Sequence, residues 1–130
     1  MPQVKLVSFR EVSGKAPVGL EDLRRRDQKA YAKSVAAIER LAACGHELPR
    51  PHASYLRDGI YELRIKCSHV NYRILYFFHG RLVAVLTNAL TKEGVVPATD
   101  IERAISRRRL FQSNPEPHTY EEAPENNRPH

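Results

Sequence analysis

Thiols are scarce in this 130-residue chain: Cys44 and Cys67 are its two cysteines, they lie far apart, and neither belongs to a CxxC pair. That pattern argues against a disulfide scaffold and against a structural zinc site, and neither a metal nor a cofactor is expected. No run of residues is long and apolar enough to span a bilayer, and the opening Met1-Pro-Gln-Val-Lys-Leu-Val lacks the charged-then-apolar layout of a signal peptide. The expectation is a cytoplasmic protein with no membrane partner. There is no internal repeat. What is present is 42% hydrophobic, which excludes global disorder, in a length that suits one domain with its own core. The net charge of +6 favours a polyanionic partner, nucleic acid or an acidic protein; the plainer alternative is a basic, solvated surface.

The stretch from Gly59 to Leu86 organises the rest. Tyr61, Leu63 and Ile65 alternate with Glu62, Arg64 and Lys66, the period-two pattern of a half-buried strand. Cys67-Ser-His-Val-Asn71 supplies a turn, and Tyr72 to Phe78 is a second strand rich in aromatic and β-branched residues. His79-Gly80 signals a hairpin, and Leu82 to Leu86 suits a central strand buried on both faces. Arg64, Lys66 and Arg73 then fall on neighbouring strands near one sheet face. A sheet core has no need of cations there.

Around this stretch, Val4 to Phe9 reads as a first strand and Ala16 to Leu23 as a short helix opened by Pro17. Arg24-Arg25-Arg26 reads as a solvated joint between helices. Asp27 is suited to cap the main helix and Gly45 to end it, with Tyr31, Val35, Ile38, Leu41 and Ala42 forming its apolar stripe. Residues 46–53 read as an extended connection, and Asp58-Gly59 as a tight turn. A last helix starts at Thr99 or Asp100 and carries Arg103, Arg107, Arg108 and Arg109, more cations than the helix dipole requires. From Gln112 onward the chain is rich in proline and polar residues. Residues 112–130 are expected to be a flexible tail, because such a segment buries too little surface to offset its ordering entropy.

Leu56-Arg-Asp-Gly-Ile-Tyr-Glu-Leu-Arg64, then Asn71-Tyr-Arg-Ile-Leu-Tyr-Phe-Phe78, then the loop from Lys92 to Pro97 and the helix start Asp100-Ile-Glu-Arg-Ala104 resemble the HigB and phage Gp49-like branch of the RelE/ParE toxin superfamily. The likeness covers about Phe9 to Arg109. It implies a small α+β RelE-like fold over residues 1–111: a four-stranded, mainly antiparallel sheet packed by N-terminal helices and a C-terminal helix. It also implies the toxin of a type II toxin–antitoxin system, an endoribonuclease that cuts mRNA on the ribosome and is held in check by a HigA-like helix-turn-helix antitoxin.

RNA is cut without a metal when its 2′-hydroxyl attacks the adjacent phosphate, so the protein must orient the backbone and stabilise the charge that develops on the phosphate oxygens. Arginine suits this task because its planar fork matches phosphate. By the resemblance, Arg64 and Arg73 are the candidates for phosphate binding and transition-state stabilisation, and Lys92 for proton donation to the leaving oxygen. Lys66, His69, Arg107 and Arg108 are candidates for RNA binding, with His69 also a possible proton-transfer group. The alternatives are plainer: Arg64 paired with Glu62 or Glu93, and His69 solvated in a turn. The same basic face would also suit a catalytically inactive module that binds nucleic acid or an acidic protein, or a co-repressor acting through an antitoxin.

Overall fold

A computed structural model describes residues 3–11, 13–14, 17–91 and 94–120. The chain runs β1 (Lys5–Phe9), α1 (Leu20–Arg26), α2 (Gln28–Cys44), β2 (Ala53–Arg57), β3 (Ile60–Cys67), β4 (Val70–His79), β5 (Val83–Thr91), α3 (Ala98–Ser113) and β6 (Thr119–Tyr120). The strands form one mixed sheet in the order β2-β3-β4-β5-β1-β6, in which β1 and β5 are parallel and the other pairs antiparallel. The class is α+β, as expected, but the four-stranded sheet needs correcting: the described residues form five full strands and a two-residue edge strand. Among the described residues no helix is long and apolar enough to cross a membrane.

The extra strands lie at the two edges. β2 turns into β3 through Asp58 and Gly59, both at positive φ (52° and 81°), the backbone that a two-residue hairpin loop requires. β6 pairs Ser8 with Tyr120 and Phe9 with Thr119. Ahead of it, α3 continues to Ser113, and His118 is buried with its ring stacked on Phe9 at 5.0 Å. His118 Nδ1 lies 2.8 Å from the Arg10 carbonyl, and Arg10 N–H donates to the His118 carbonyl at 2.8 Å. The chain is therefore folded through Tyr120, past the expected boundary at Phe111; residues 121–130 lie outside the described part.

Strand alternation sorts the side chains between two cores. On one face Leu63, Ile65, Ile74, Tyr76 and Leu86 pack with Ala37 and Leu41 of α2 and Leu20 of α1. On the other Ile60, Leu75, Phe77 and Val85 pack with Ile101, Ala104 and Phe111 of α3. β5 is buried on both faces at Ala84, Val85 and Leu86. A bulge between Leu75 and Tyr76 shifts the β4–β5 register, and Thr87 Oγ1 donates to the Leu75 carbonyl there at 3.1 Å.

α2 is capped by Asp27, which accepts from Ala30 N–H at 3.1 Å, and it ends at Gly45 with φ 55°. Its most buried line is Ala30, Ser34, Ala37 and Leu41, with Tyr31 and Ile38 flanking it. The stripe is thus rotated by about one residue from the one expected, because small side chains let the helix approach the sheet closely. α1 starts at Leu20, after Gly19 in the left-handed region (φ 68°), and not at Pro17. Arg24 and Arg25 close its last turn with ion pairs to Glu21 at 3.6 Å and Asp22 at 3.3 Å.

Candidate functional site

Among the described residues, β3 has no further strand partner on the β2 side beyond Leu63. Ala53 pairs with Leu63, the Arg64 N–H donates to the His52 carbonyl at 2.8 Å, and the edge of Ile65 and Lys66 is then open. α2 runs past this edge, with Lys33 Nζ 3.5 Å from the Lys66 carbonyl. Helix, strand edge and the approach to β2 enclose a cleft of about 830 Å³, whose lining includes Lys33, Arg40, His52, Arg64, Lys66 and Arg73. Five of these are permanent cations, so a polyanion that entered would meet one sign of charge along most of its path.

Two of the lining arginines, Arg64 and Arg73, meet on a buried carboxylate that lies outside the lining. Glu62, Arg64 and Lys66 share one face of β3, and the register sets Arg64 opposite Arg73 and Glu62 opposite Leu75. The side chain of Glu62 is 3% exposed, whereas the outward half of the expected alternation would have left it in water. A buried carboxylate costs several kcal/mol unless it is paired and hydrogen-bonded. Here Ser54 Oγ donates to Oε2 at 2.7 Å, and Arg64 reaches the same oxygen through Nε at 3.0 Å and Nη2 at 2.9 Å. Arg73 Nη1 stands 3.4 Å from Oε1, close enough for an ion pair, yet that oxygen receives no hydrogen bond from the described residues. Arg64 is therefore held by good donor geometry and Arg73 mainly by charge.

His52 adds a different group to the wall of the cleft. Its Nδ1 lies 3.3 Å from Arg40 Nη1. A guanidinium has no lone pair to offer, so in this contact Nδ1 is the accepting side.

The other residues singled out in the sequence fall as follows. Lys66 lines the cleft with Arg64 and Arg73. Lys92 lies outside the described residues; Gly94, two positions on, is at the rim. His69 is exposed in the turn between β3 and β4 and is not among the lining residues. Arg107 lies over the Phe9 ring at 5.8 Å, donates to the Thr87 carbonyl at 3.4 Å and pairs with Glu11 at 3.5 Å. Burial draws its guanidinium below its ordinary pKa. Arg108 donates to the Asp58 carbonyl at 2.7 Å and covers Gly59. The structure thus gathers Arg64, Arg73 and Lys66, and engages Arg107 and Arg108 in the packing of α3.

Sequence reasoning missed Ser54 as the donor that holds Glu62, and His52, Arg40 and Lys33 as members of this cleft. The first two depend on β2, and a helix position such as Arg40 or Lys33 shows no sign of what it faces. Glu62 did leave a signal, since it stands two residues from Arg64 on one strand face. Among the described residues no three His, Cys, Asp or Glu side chains gather as ligands for a metal ion.

The family model described as phage-derived protein Gp49-like (DUF891) matches residues 21–109, which include every residue named above as lining the cleft. No curated protein matches the chain.

Proposed function

The chain belongs to the phage-derived Gp49-like family, within the RelE/HigB-like toxin superfamily, and from that premise we propose that it is the toxin of a toxin–antitoxin pair, an endoribonuclease that cuts mRNA on the ribosome. The observation that carries this reading is the pairing of Arg64 with Arg73 across β3 and β4 at the head of a cation-lined cleft. An extended RNA backbone fits between α2 and the open edge of β3, with its phosphates beside Lys33, Arg40 and Lys66.

In the reaction the O2′–P bond forms and the P–O5′ bond breaks. The 2′-hydroxyl gives its proton to solvent water and the departing 5′-oxygen gains one. Arg64 and Arg73 take the non-bridging oxygens, whose charge rises as the phosphorus becomes five-coordinate, and planar guanidiniums fixed beforehand stabilise that state more than the ground state. Lys92 is assigned the proton donated to the 5′-oxygen. The imidazole of His52 offers one further polar group on the wall of the cleft. The proposed partners are the ribosome with its mRNA and a HigA-like helix-turn-helix antitoxin.

A second reading has an observation of its own. Both arginines already hold a carboxylate, as they would in a basic module that binds RNA without cutting it. Induced expression in cells separates the two. The toxin reading expects growth arrest with loss of translation, relieved by Arg73→Ala or by co-expression of the antitoxin. Undisturbed translation and intact mRNA at high expression would refute it.

A further inference from the structure

Glu62 takes no part in the reaction above, yet both arginines converge on it. Its burial needs a reason. A small polar residue at this strand position would avoid the cost of desolvating a charge. What the carboxylate does achieve is geometric. Two guanidiniums directly opposite each other on adjacent strands repel. With Glu62 between them they are drawn to the two oxygens of one rigid group, itself fixed by Ser54 at 2.7 Å. It also removes one unit of positive charge from the cleft.

We propose that Glu62 is a positioning residue that holds Arg64 and Arg73 side by side as one phosphate-binding fork, and that it does so at the expense of RNA affinity. Orientation and affinity then move in opposite directions when the carboxylate is neutralised. A purely structural role would make them fall together. The cleavage half of this inference rests on the endonuclease reading, whereas the binding half requires only that the cleft takes RNA.

The substitution Glu62→Gln keeps the shape, keeps an oxygen for Ser54 and removes the charge. Measured on the full chain with a fluorescent single-stranded RNA oligonucleotide, it should tighten binding several-fold. It should also steepen the salt dependence by about 0.7 in log–log slope for each additional phosphate that the freed arginines neutralise. Cleavage of a translated mRNA should fall at least ten-fold, with partial recovery in Glu62→Asp. Ser54→Ala leaves the charge in place, so it should lower cleavage while leaving the salt slope as in the wild type. Unchanged binding and salt slope in Glu62→Gln would overturn the proposal, as would binding and cleavage that decline together with the melting temperature. If Glu62→Gln does not fold, Ser54→Ala decides: wild-type cleavage in that variant overturns the proposal. A wild-type protein that binds RNA but never cuts it would defeat the endonuclease reading and leave the binding half to be judged by Glu62→Gln.

Discussion

Arg73 stands directly across from Arg64 in the β3–β4 register, yet the pair is arranged unequally: Arg64 reaches Glu62 at 2.9 Å with two donors, whereas Arg73 stands 3.4 Å away as an ion pair without a hydrogen bond. Arg73 is the more buried of the two, with 11% of its side chain exposed against 42%. Loss of Arg73 should therefore be felt in stability as well as in the proposed cleavage. Arg73→Ala leaves Oε1 of a buried carboxylate without its cation, and the melting curve should show a loss of about 3 kcal/mol. Arg73→Lys keeps the charge but not the fork. It should recover most of that stability and little of the cleavage.

Arg107 tests the difference between a cation on the surface and one used in packing. Its guanidinium covers Phe9, bonds to the Thr87 carbonyl and pairs with Glu11. Arg107→Met should cost about 1–3 kcal/mol, from a carbonyl left without its donor and a lost cation–π interaction. RNA affinity should change less than two-fold. Lys66→Ala should do the reverse, leaving the melting temperature in place while weakening RNA binding and lowering the salt slope by about 0.7. Filter binding at several salt concentrations, alongside thermal denaturation, checks both.

Gly59 and Arg108 are coupled through space. Gly59 sits at φ 81°, and a Cβ placed there would meet the Arg108 guanidinium. Gly59→Ala should cost about 1–3 kcal/mol, from backbone strain together with displacement of Arg108. Arg108→Ala removes the collision but not the strain. In a double-mutant cycle Gly59→Ala should thus be milder in the Arg108→Ala background, by about 0.5 kcal/mol or more. Additive effects would mean that the contact carries no energy.

Periodicity makes the strands from Gly59 to Leu86 legible in the sequence, and the cap and terminating glycine do the same for α2. The Arg64 and Arg73 pair follows from the hairpin between them. β2 does not show, because Ala53–Arg57 has no clean alternation and becomes a strand by pairing with β3. The segment to Tyr120 does not show either: one buried histidine against Phe9 and a two-residue pairing order a stretch whose composition favours disorder. Alternation sets Glu62 on the side of the sheet opposite Leu63, but which part of that side is covered is a tertiary matter. Arg107 and Arg108 present the reverse case, since a helical arginine looks the same in sequence whether it meets solvent or a carbonyl.

Tyr76 supplies a pH dependence. Burial pushes its phenol well above the ordinary value of 10.0, with a smaller contribution from Tyr61, whose ring stacks on it at 5.3 Å. The folded state therefore holds this proton more tightly than the unfolded chain does. The sign follows from linkage: the contribution is fully present below about pH 10 and is lost as pH rises above it toward the folded value. Alkaline unfolding followed from about pH 9 to about pH 12 should fall away less steeply in Tyr76→Phe than in the wild type. Identical slopes would mean that the phenol is not the titrating group.

Arg64 and Arg73 are proposed to form the phosphate fork that cuts RNA. Primer extension on an mRNA under translation, with the wild-type protein and with Arg73→Ala, tests it most directly. Discrete new 5′ ends are expected inside the translated region with the wild type, absent without ribosomes and reduced at least a hundred-fold with Arg73→Ala. Full-length extension products with the wild-type protein, or new ends that persist unchanged in Arg73→Ala, would contradict it.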